Sequence, residues 1–335
     1  MKFKILALLV LMLTLTSCPD EINPPKEWGW NLQVVPDDIM DLNSVFFLDT
    51  MNGWSAGGYS GTSGPGEKYG KIFHTTDGGT NWTEQYKLDD EYFYKVYFQN
   101  SMTGWVLGQN GKLLKTTNGG ANWDSIPLGL EQHLRSIHFL DNKNGWLGGT
   151  DGILLKTNDG GSTWEPVDIE SAHWMDIIFT DENTGFVFGG QSQAGYSSAN
   201  IMKTTDGGET WTSVYSNLDR LIRKAFFFDA STGWAVGNEG LIMKTTNGGN
   251  NWIEMVKPTK YHLNSVNFSD NMNGWICGRY SVVMNTTDGG ITWKKQTTDK
   301  KEDFHDLFFI DSLHGWMTGT WGTILSTNNG GIDIY

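Results

Sequence analysis

Short apolar segments recur along the chain, and each begins a unit of about 41 residues with the same order of apolar and polar positions. The first segment of a unit reads SVFFLD at 44–49 or KVYFQN at 95–100, and a second follows as Gly-Trp plus apolar residues, as in NGWSAGG at 52–58. A third, such as GKLLKTT at 111–117, and a fourth that opens at a Trp complete the unit. Segments this short, bounded by Gly and Asn, predict β-strands, and no sustained helical periodicity appears.

An octet that joins the third segment to the fourth is the strongest signal in the chain. It reads TTDGGTNW at Thr75–Trp82, and its Gly-Gly pairs begin at 78, 119, 160, 207, 248, 289 and 330, in steps of 41 residues except for one of 47. A fixed period of this length indicates a repeat architecture. Four short antiparallel strands per period are typical of a propeller blade, so the sequence predicts an all-β, seven-bladed β-propeller.

The third residue of each octet is always Asp or Asn, which predicts a structural turn. These residues are Asp77, Asn118, Asp159, Asp206, Asn247, Asp288 and Asn329. We expect each side chain to accept hydrogen bonds from backbone amides one or two residues further on. The following glycines supply the positive φ that a tight turn needs. Asp and Asn exchange freely here, which suits a turn acceptor and does not suit a catalytic acid or a metal ligand.

The spacing of the repeats also predicts how the ring closes. We call the octet a box. Trp30 lies 15 residues before Val45, and the Trp residues that end the boxes lie 13 or 14 residues before the core residue of the next first strand. The last box has Ile334 where a Trp would stand. We therefore expect Trp30–Val35 to form the fourth strand of the last blade, which would remove an open sheet edge. Deletion of residues 27–36 should then destabilise the whole domain.

The repeated Trp and Phe residues predict packing between blades. Their alternative role is a stacking platform for sugars, but a ligand site would not repeat in every blade. Cys277, in an apolar strand, is interpreted as a small buried hydrophobic residue. With Cys18 as the only other cysteine, the sequence offers no intramolecular disulfide framework.

The N-terminus resembles a bacterial lipoprotein signal. Lys2 and Lys4 precede an apolar run from Ile5 to Leu13 that is too short to span a membrane, which needs about 20 residues. Leu15–Cys18 resembles a lipobox, and the alternative is an ordinary secretory signal with an incidental cysteine. The expected organisation is a signal peptide at 1–17, a Pro-rich tether at 18–27 and the propeller at 28–335. Lipidation of Cys18 would place the chain outside the cytoplasm, and Cys18→Ala should release it from membranes.

The chain is acidic, which argues against nucleic acid as a partner. Its formal charge is −14, and loss of residues 1–17 with Lys2 and Lys4 changes it to −16. No basic stripe is present to neutralise phosphates. No tight spacing of His or carboxylate residues predicts a metal site, and nothing in the sequence indicates a cofactor.

The face that carries the loops after the second and fourth strands of each blade is the predicted binding face, because these loops differ between blades. Two positions before the core residue of each first strand stand Asn43, Tyr94, Arg135, Met175, Arg223, Asn264 and His305. The loops after the second strands add Asn110, Asp151, Glu239, Arg279, Tyr280 and Trp321. Candidate binding residues are Tyr94, Arg135, Arg223, Arg279, Tyr280, His305 and Trp321. The guanidinium groups of the three arginines suit carboxylates.

The octets resemble the BNR or Asp-box repeat, and octet and Gly-Trp strand together resemble the photosystem II stability/assembly factor family of seven-bladed propellers. The resemblance covers about residues 28–335. It implies a non-enzymatic scaffold that binds a protein on the extracytoplasmic side, partly through a basic patch. In this chain only Arg135, Arg223 and Arg279 could form that patch.

Asp boxes also occur in sialidases and in xyloglucan-cleaving glycoside hydrolases, so a glycan-binding or glycan-cleaving propeller is the alternative function. Residues of the types that a sialidase site needs are present: Arg135, Arg223, Arg279, Tyr280, Glu239 and Asp151. Sialidases have six blades, however, and the xyloglucan enzymes use two propellers. The sequence offers no clear pair of carboxylates about 5–9 Å apart, and we expect no catalytic residue.

Overall fold

The computed structural model of the chain describes residues 29–36, 40–61, 68–193, 196–218 and 220–333. The predicted signal peptide at 1–17 and the tether at 18–27, with Cys18, lie outside the described residues. Within the described ranges, none of the helices has the length and apolar character needed to cross a membrane.

The described strands form seven four-stranded antiparallel sheets, which confirms the predicted all-β propeller. We number the blades 1 to 7 along the chain and call their strands a to d from the centre outward. Blades 1 to 3 contain Asp41–Phe47, Gly53–Tyr59, Tyr69–Thr75 and Thr83–Asp89; Phe93–Phe98, Gly104–Gly108, Leu113–Thr116 and Asp124–Ile126; Leu134–Phe139, Gly145–Gly149, Leu154–Thr157 and Glu165–Pro166.

Blades 4 to 7 continue the same order of strands. They contain His173–Phe179, Gly185–Gly190, Ala199–Thr204 and Thr212–Asn217; Ile222–Phe227, Gly233–Gly237, Ile242–Thr245 and Ile253–Glu254; Leu263–Phe268, Gly274–Gly278, Val282–Thr286 and Lys294–Lys295; Phe304–Phe309, Gly315–Gly319 and Ile324–Thr327. A small ribbon in blade 4 pairs Ser192–Gln193 with Tyr196–Ser197, and 3-10 turns occupy Thr150–Gly152 and Asn238–Gly240.

The N-terminal strand closes the ring as the spacing predicts. Asn31–Gln33 pairs antiparallel with strand c of blade 7, opposite Ile324–Ser326, and is therefore strand d of that blade. Trp30 is buried at its start, with its ring edge-to-face with Phe309 at a centroid distance of 5.8 Å and its Nε1 donating to Oε1 of Gln296 at 3.0 Å. Strands a of neighbouring blades contact one another, and that of blade 7 contacts that of blade 1.

Aromatic rings fill the junctions between blades, which confirms that the repeated Trp and Phe residues pack. The Trp of each strand b stacks on a Phe of strand a in the next blade, with centroid distances of 3.6–4.2 Å: Trp54 on Phe98, Trp105 on Phe139, Trp146 on Phe179, Trp234 on Phe268, Trp275 on Phe309 and Trp316 on Phe47. Blade 4 has Phe186 instead, 4.8 Å from Phe227. Each junction thus has an apolar cluster of its own.

The box turn uses two side-chain acceptors rather than one. In blade 1 the Thr75 Oγ1 accepts from the amide of Gly79 at 2.9 Å, and the Asp77 Oδ1 accepts from the amide of Asn81 at 2.9 Å. The expected reach of one or two residues for the Asp or Asn side chain is wrong in the first six boxes. Because the Thr hydroxyl takes the nearer amide, the carboxylate or amide oxygen bonds four residues on.

The indole groups of the box Trp residues differ from one another in their hydrogen bonding. Trp211 Nε1 donates to the carbonyl of Gly208 at 3.2 Å. The Nε1 atoms of the other five are buried without a partner among the described residues: Trp82, Trp123, Trp164, Trp252 and Trp293. Their contribution is therefore packing against the Phe of strand a.

Candidate functional site

A β-bulge in every strand a aims one extra side chain at the centre of the ring. The ladder between strands a and b skips one residue in each blade, for example between Leu134 and Ser136. The skipped residues are Asn43, Tyr94, Arg135, Met175, Arg223, Asn264 and His305. Bulges often redirect side chains at functional sites. The same seven positions differ between blades, so they form an asymmetric ring on a symmetric frame.

These seven side chains line one cavity of about 140 Å³ at the centre of the ring. It opens on the face of the b–c loops and d–a connections, which we call the loop-rich face; the a–b loops and the boxes form the opposite box face. The structure therefore gathers four of the candidate binding residues: Tyr94, Arg135, Arg223 and His305. Arg279, Tyr280 and Trp321 are outside the lining of this cavity.

Two lysines and two aspartates form the floor of the cavity. Lys95 Nζ lies 2.9 Å from Asp306 Oδ2, and Lys224 Nζ lies 3.2 Å from Asp176 Oδ1. Burial alone would raise the pKa of Asp306, but Lys95 and Lys224 hold it below its ordinary value. Asp306 is thus ionised, and each of the two carboxylates is paired with a lysine.

The sequence analysis did not select these four residues, although a signal for them exists. The other blades carry Ser44, Ser136 and Ser265 at the same position of strand a. A charged residue at the start of an apolar strand, where related repeats have Ser, marks a position that faces a polar interior. The Ser44 and Ser265 hydroxyls both donate to Asp306, at 3.0 and 2.8 Å.

Two of the bulge residues are hydrogen-bonded to the backbone, and two others each carry a buried polar atom without a hydrogen-bond partner among the described residues. Asn43 and Asn264 each donate from Nδ2 to the backbone of the next blade, to Phe93 O at 2.7 Å and to Phe304 O at 2.6 Å. By contrast, Arg135 Nε and His305 Nε2 are buried without a hydrogen-bond partner among the described residues. Buried polar atoms are nearly always paired, so these two mark a place where a ligand atom would be stabilised.

Arg135 and Arg223 carry charge that the cavity does not neutralise. The Arg135 guanidinium lies over the Tyr94 ring, 3.7 Å from its centroid, and burial lowers its pKa. Arg223 Nε donates to the neutral Asn238 Oδ1 at 2.7 Å. Burial, followed by the charges of Arg279 and Arg135, lowers the pKa of Arg223 to about 10. Such mutual repulsion would be relieved by an anion.

The rim around the cavity is built from strained loop tips. Asn110, Asp151, Glu239, Tyr280 and Trp321 stand at equivalent positions of the b–c loops and all have φ of 51–56°. Side chains in this region cost conformational energy. Tyr280 and Trp321 are 69% and 64% exposed, and the Arg279 Nε is 3.9 Å from Asp303 Oδ2.

Three histidines fix three of these five tips, which is a role that the sequence did not reveal. The Nδ1 atoms of His133, His173 and His262 accept from the amides of Asn110, Asp151 and Glu239 at 3.0–3.3 Å. Each histidine belongs to the blade after the loop that it holds. Burial lowers the pKa of His133 and of His262, which keeps them neutral and able to accept.

The set of residues that a sialidase-like site would need is not gathered. Arg135 and Arg223 share the cavity, whereas the other residues stand on three separate exposed loops: Asp151 on the first, Glu239 on the second, and Arg279 with Tyr280 on the third. Among the described residues, no cluster of three His, Cys, Asp or Glu is placed to hold a metal ion.

Comparison with known proteins supports the resemblance stated above. Residues 116–175 and 166–260 match the sequence model of the family described as photosynthesis system II assembly factor YCF48. A solved structure of YCF48 bound to D1 peptide is 22% identical, with a TM-score of 0.68 over 89% of this chain and 96% of that one. YCF48 from Cyanidioschyzon merolae is 19% identical, with a TM-score of 0.69 over 89% and 98%.

An enzyme shares the same architecture. A streptogramin B lyase structure is 14% identical, with a TM-score of 0.66 over 90% of this chain and 97% of that one. No curated protein sequence matches the chain. Identities below 25% show the fold alone, so the lyase and the YCF48 structures support the propeller equally.

Proposed function

We propose, from the resemblance of this chain to the family of photosynthesis system II assembly factor YCF48, that it is a non-catalytic scaffold that binds a protein partner on its loop-rich face. One of the solved YCF48 structures has a bound D1 peptide. For the present chain we propose a protein partner that inserts a carboxylate into the central cavity.

The observation that carries this proposal is the excess of positive charge in the cavity of an acidic protein. Lys95, Arg135, Arg223 and Lys224 face only two carboxylates, those of Asp176 and Asp306. The lysines are already paired, so the unneutralised charge belongs to the two arginines. Arginine binds carboxylates through parallel hydrogen bonds and keeps its charge when buried.

The size of the cavity favours the end of a peptide or an acidic side chain. A volume of about 140 Å³ is below the ~300–1,000 Å³ of typical small-molecule pockets. It can admit a carboxylate and a few methylene groups, while the rest of the partner contacts the rim. Tyr280 and Trp321 supply exposed aromatic surface there, which is common in protein interfaces.

The pairing of the cavity carboxylates supports a non-catalytic role. A glycosidase needs one carboxylic acid that can donate a proton and one carboxylate that can attack or activate water. Asp176 and Asp306 each form an ion pair with a lysine, and Asp306 also accepts from two serines. Neither is placed to act as a free proton donor, so the glycan-cleaving alternative gains no support from this cavity.

The location of the protein is part of the same proposal. The basic residues, apolar run and lipobox-like Cys18 favour a lipoprotein that is anchored on the extracytoplasmic side. Mass spectrometry of the N-terminal peptide tests this directly: a diacylglyceryl group on Cys18 supports it, and an unmodified thiol contradicts it. Cys18→Ala should move the protein from the membrane to the soluble fraction.

Calorimetric titration with short acidic peptides tests the binding site. We expect eight-residue peptides rich in Asp and Glu to bind, and Asn/Gln counterparts of the same length to bind at least about tenfold more weakly, since tenfold corresponds to ~1.4 kcal/mol. Arg135→Gln and Arg223→Gln should each remove this preference. Lys294→Gln removes an exposed charge from an outer strand and is the matched control. Equal binding of both peptide classes would reject the carboxylate site.

A further inference from the structure

The tips of the a–b loops divide the box face: four adjacent blades carry an apolar residue there, and the other three, which we call the polar half, carry a polar one. The a–b loop places a residue at its tip two positions before the Gly of strand b. In four adjacent blades this residue is Met272, Leu313, Met51 and Met102, each 46–52% exposed. In blades 3, 4 and 5 the same position holds Lys143, Asn183 and Ser231.

The position after the Gly pair of the box adds apolar surface in blades 6 and 7 only. Blades 6 and 7 carry Ile291 and Ile332, which are 63% and 61% exposed. Blades 1 and 2 carry Thr80 and Ala121, and blades 3, 4 and 5 carry Ser162, Glu209 and Asn250. We call Met51, Met102, Met272, Ile291, Leu313 and Ile332 the apolar arc, which runs through blades 6, 7, 1 and 2. Exposed apolar side chains grouped on adjacent blades of one face indicate an interaction site.

The geometry of the turns keeps the apolar arc flat. In all four blades the first box Gly donates its amide to the carbonyl of the loop-tip residue at 2.9 Å: Gly78 to Met51, Gly119 to Met102, Gly289 to Met272 and Gly330 to Leu313. Loop tip and box are thereby locked side by side in every blade. Equivalent positions of a ring of repeats lie at one level, so the arc presents a plane rather than a groove.

The N-terminal end of the described chain lies at the middle of the apolar arc. The amide of Gly29 donates to Oδ1 of Asp333 at 3.2 Å, and Gly29 packs directly against the backbone of Gly331 in the box of blade 7. Residues 19–28 separate Gly29 from Cys18. Ten residues reach at most about 35 Å. A lipid on Cys18 would therefore hold the box face close to the bilayer.

The charges of the same loops discriminate between possible surfaces. Asp49, Asp270 and Asp311 stand two residues before Met51, Met272 and Leu313. Hydrogen bonds from Asn52 and Met51 lower the pKa of Asp49, so the loop is negatively charged at neutral pH. A second copy of this face, or an anionic lipid surface, would be repelled.

We infer that the apolar arc rests on the zwitterionic surface of the lipid bilayer and turns the loop-rich face toward its partner. This inference rests on the proposed lipid anchor. It adds a second contact to the two acyl chains of a diacylglyceryl anchor and orients the ring against the bilayer. A plane of methionine and leucine tips suits a flat, fluid surface, since these side chains adapt their shape.

Environment-sensitive labels on cysteines at matched loop tips test the inference in the full, lipid-modified chain. Met51→Cys reports the apolar arc, and Ser231→Cys reports the equivalent tip of the polar half. The native Cys277 is buried and will not react. On zwitterionic vesicles the label at 51 should shift to shorter emission wavelength and be quenched severalfold more by spin-labelled lipid than the label at 231. Anionic lipid should reduce both effects.

Three results would overturn the inference, and they are distinguishable. If the chain floats with the vesicles but both labels report an aqueous environment, the lipid contact of the apolar arc is rejected and the anchor is retained. A chain that carries no lipid and does not float would reject the proposed anchor and the inference together. A label at 51 that is protected only in native membranes, and not on protein-free vesicles, would assign the apolar arc to a protein partner instead.

Discussion

The indole Nε1 of Trp316 in blade 7 donates a hydrogen bond of 2.9 Å to the carbonyl of Gly78 in the box of blade 1. The same bond joins Trp234 to Gly289 and Trp275 to Gly330, at 3.1 and 3.0 Å. The junction between the last and the first blade is therefore built like an internal one. Ring closure makes every blade depend on both neighbours, which fixes the seven bulge residues around one cavity.

Trp316→Ala should destabilise the propeller as much as Trp275→Ala. Both side chains are 3% exposed and stack on a Phe of the next blade at 3.6 and 3.7 Å. Loss of a buried Trp costs ~3–5 kcal/mol. Urea unfolding of the two variants measures the free energies of unfolding. A much smaller loss for Trp316→Ala would show that the closing junction is weaker than an internal one.

Trp30→Ala should lower the free energy of unfolding by a similar ~3–5 kcal/mol, because Trp30 is buried and fastens the N-terminal strand to blade 7. Val34 lies four residues later and is 74% exposed, so Val34→Ala is the matched control and should leave stability nearly unchanged. Thermal unfolding followed by circular dichroism separates the two variants. Equal melting temperatures for wild type and Trp30→Ala would contradict the closure.

The repeat made the ring and its closure predictable, because a period and a displaced Trp30 are visible in the sequence alone. Individual contacts were less accessible. The Thr75 hydroxyl changed the reach of Asp77, and only the register shift of strand a shows that Arg135 points into a cavity. The sequence shows an apolar residue at a–b loop tips such as Met51. That these tips group on adjacent blades of one face follows only from the ring geometry.

The lysine of strand c is a further contact that the sequence could not specify. Lys244 Nζ donates to the carbonyl of Gly289 at 2.8 Å and lies 5.0 Å from the centroid of the Trp234 ring. Lys115, Lys156 and Lys203 reach the boxes of their own next blades in the same way. From the sequence, a lysine beside a box would be expected to be exposed to solvent. In the structure it bonds to the box of the neighbouring blade and so links two sheets.

Stability should fall with acid through the box aspartates. Hydrogen bonds, first from the Thr210 and Thr292 hydroxyls, lower the pKa values of Asp206 and Asp288 to about 2, and an unfolded Asp titrates near ~3.9. Their contribution is therefore complete above about pH 4 and is lost as pH falls toward 2. The Asp206→Asn/Asp288→Asn variant keeps the Oδ1 acceptor of each backbone amide and exchanges Oδ2 for an amide donor. Because the new side chains do not titrate, it should lose less stability over this range. Parallel curves of unfolding midpoint against pH would contradict the assignment.

The ion pair between Lys95 and Asp306 gives the sharpest test of the cavity floor. Asp306 is 6% exposed, and Lys95 Nζ is its cationic partner at 2.9 Å. Lys95→Met leaves the Asp306 carboxylate hydrogen-bonded only to neutral donors, with Lys224 as its remaining cationic neighbour, which should cost up to ~3–5 kcal/mol. Lys95→Met combined with Asp306→Asn removes the uncompensated charge and should recover a large part of that loss. Lys143→Met, at an exposed loop tip, is the control and should unfold like the wild type. If Lys95→Met alone were as stable as the wild type, the pair would not hold the floor together, and Lys95 would be free to serve the ligand instead.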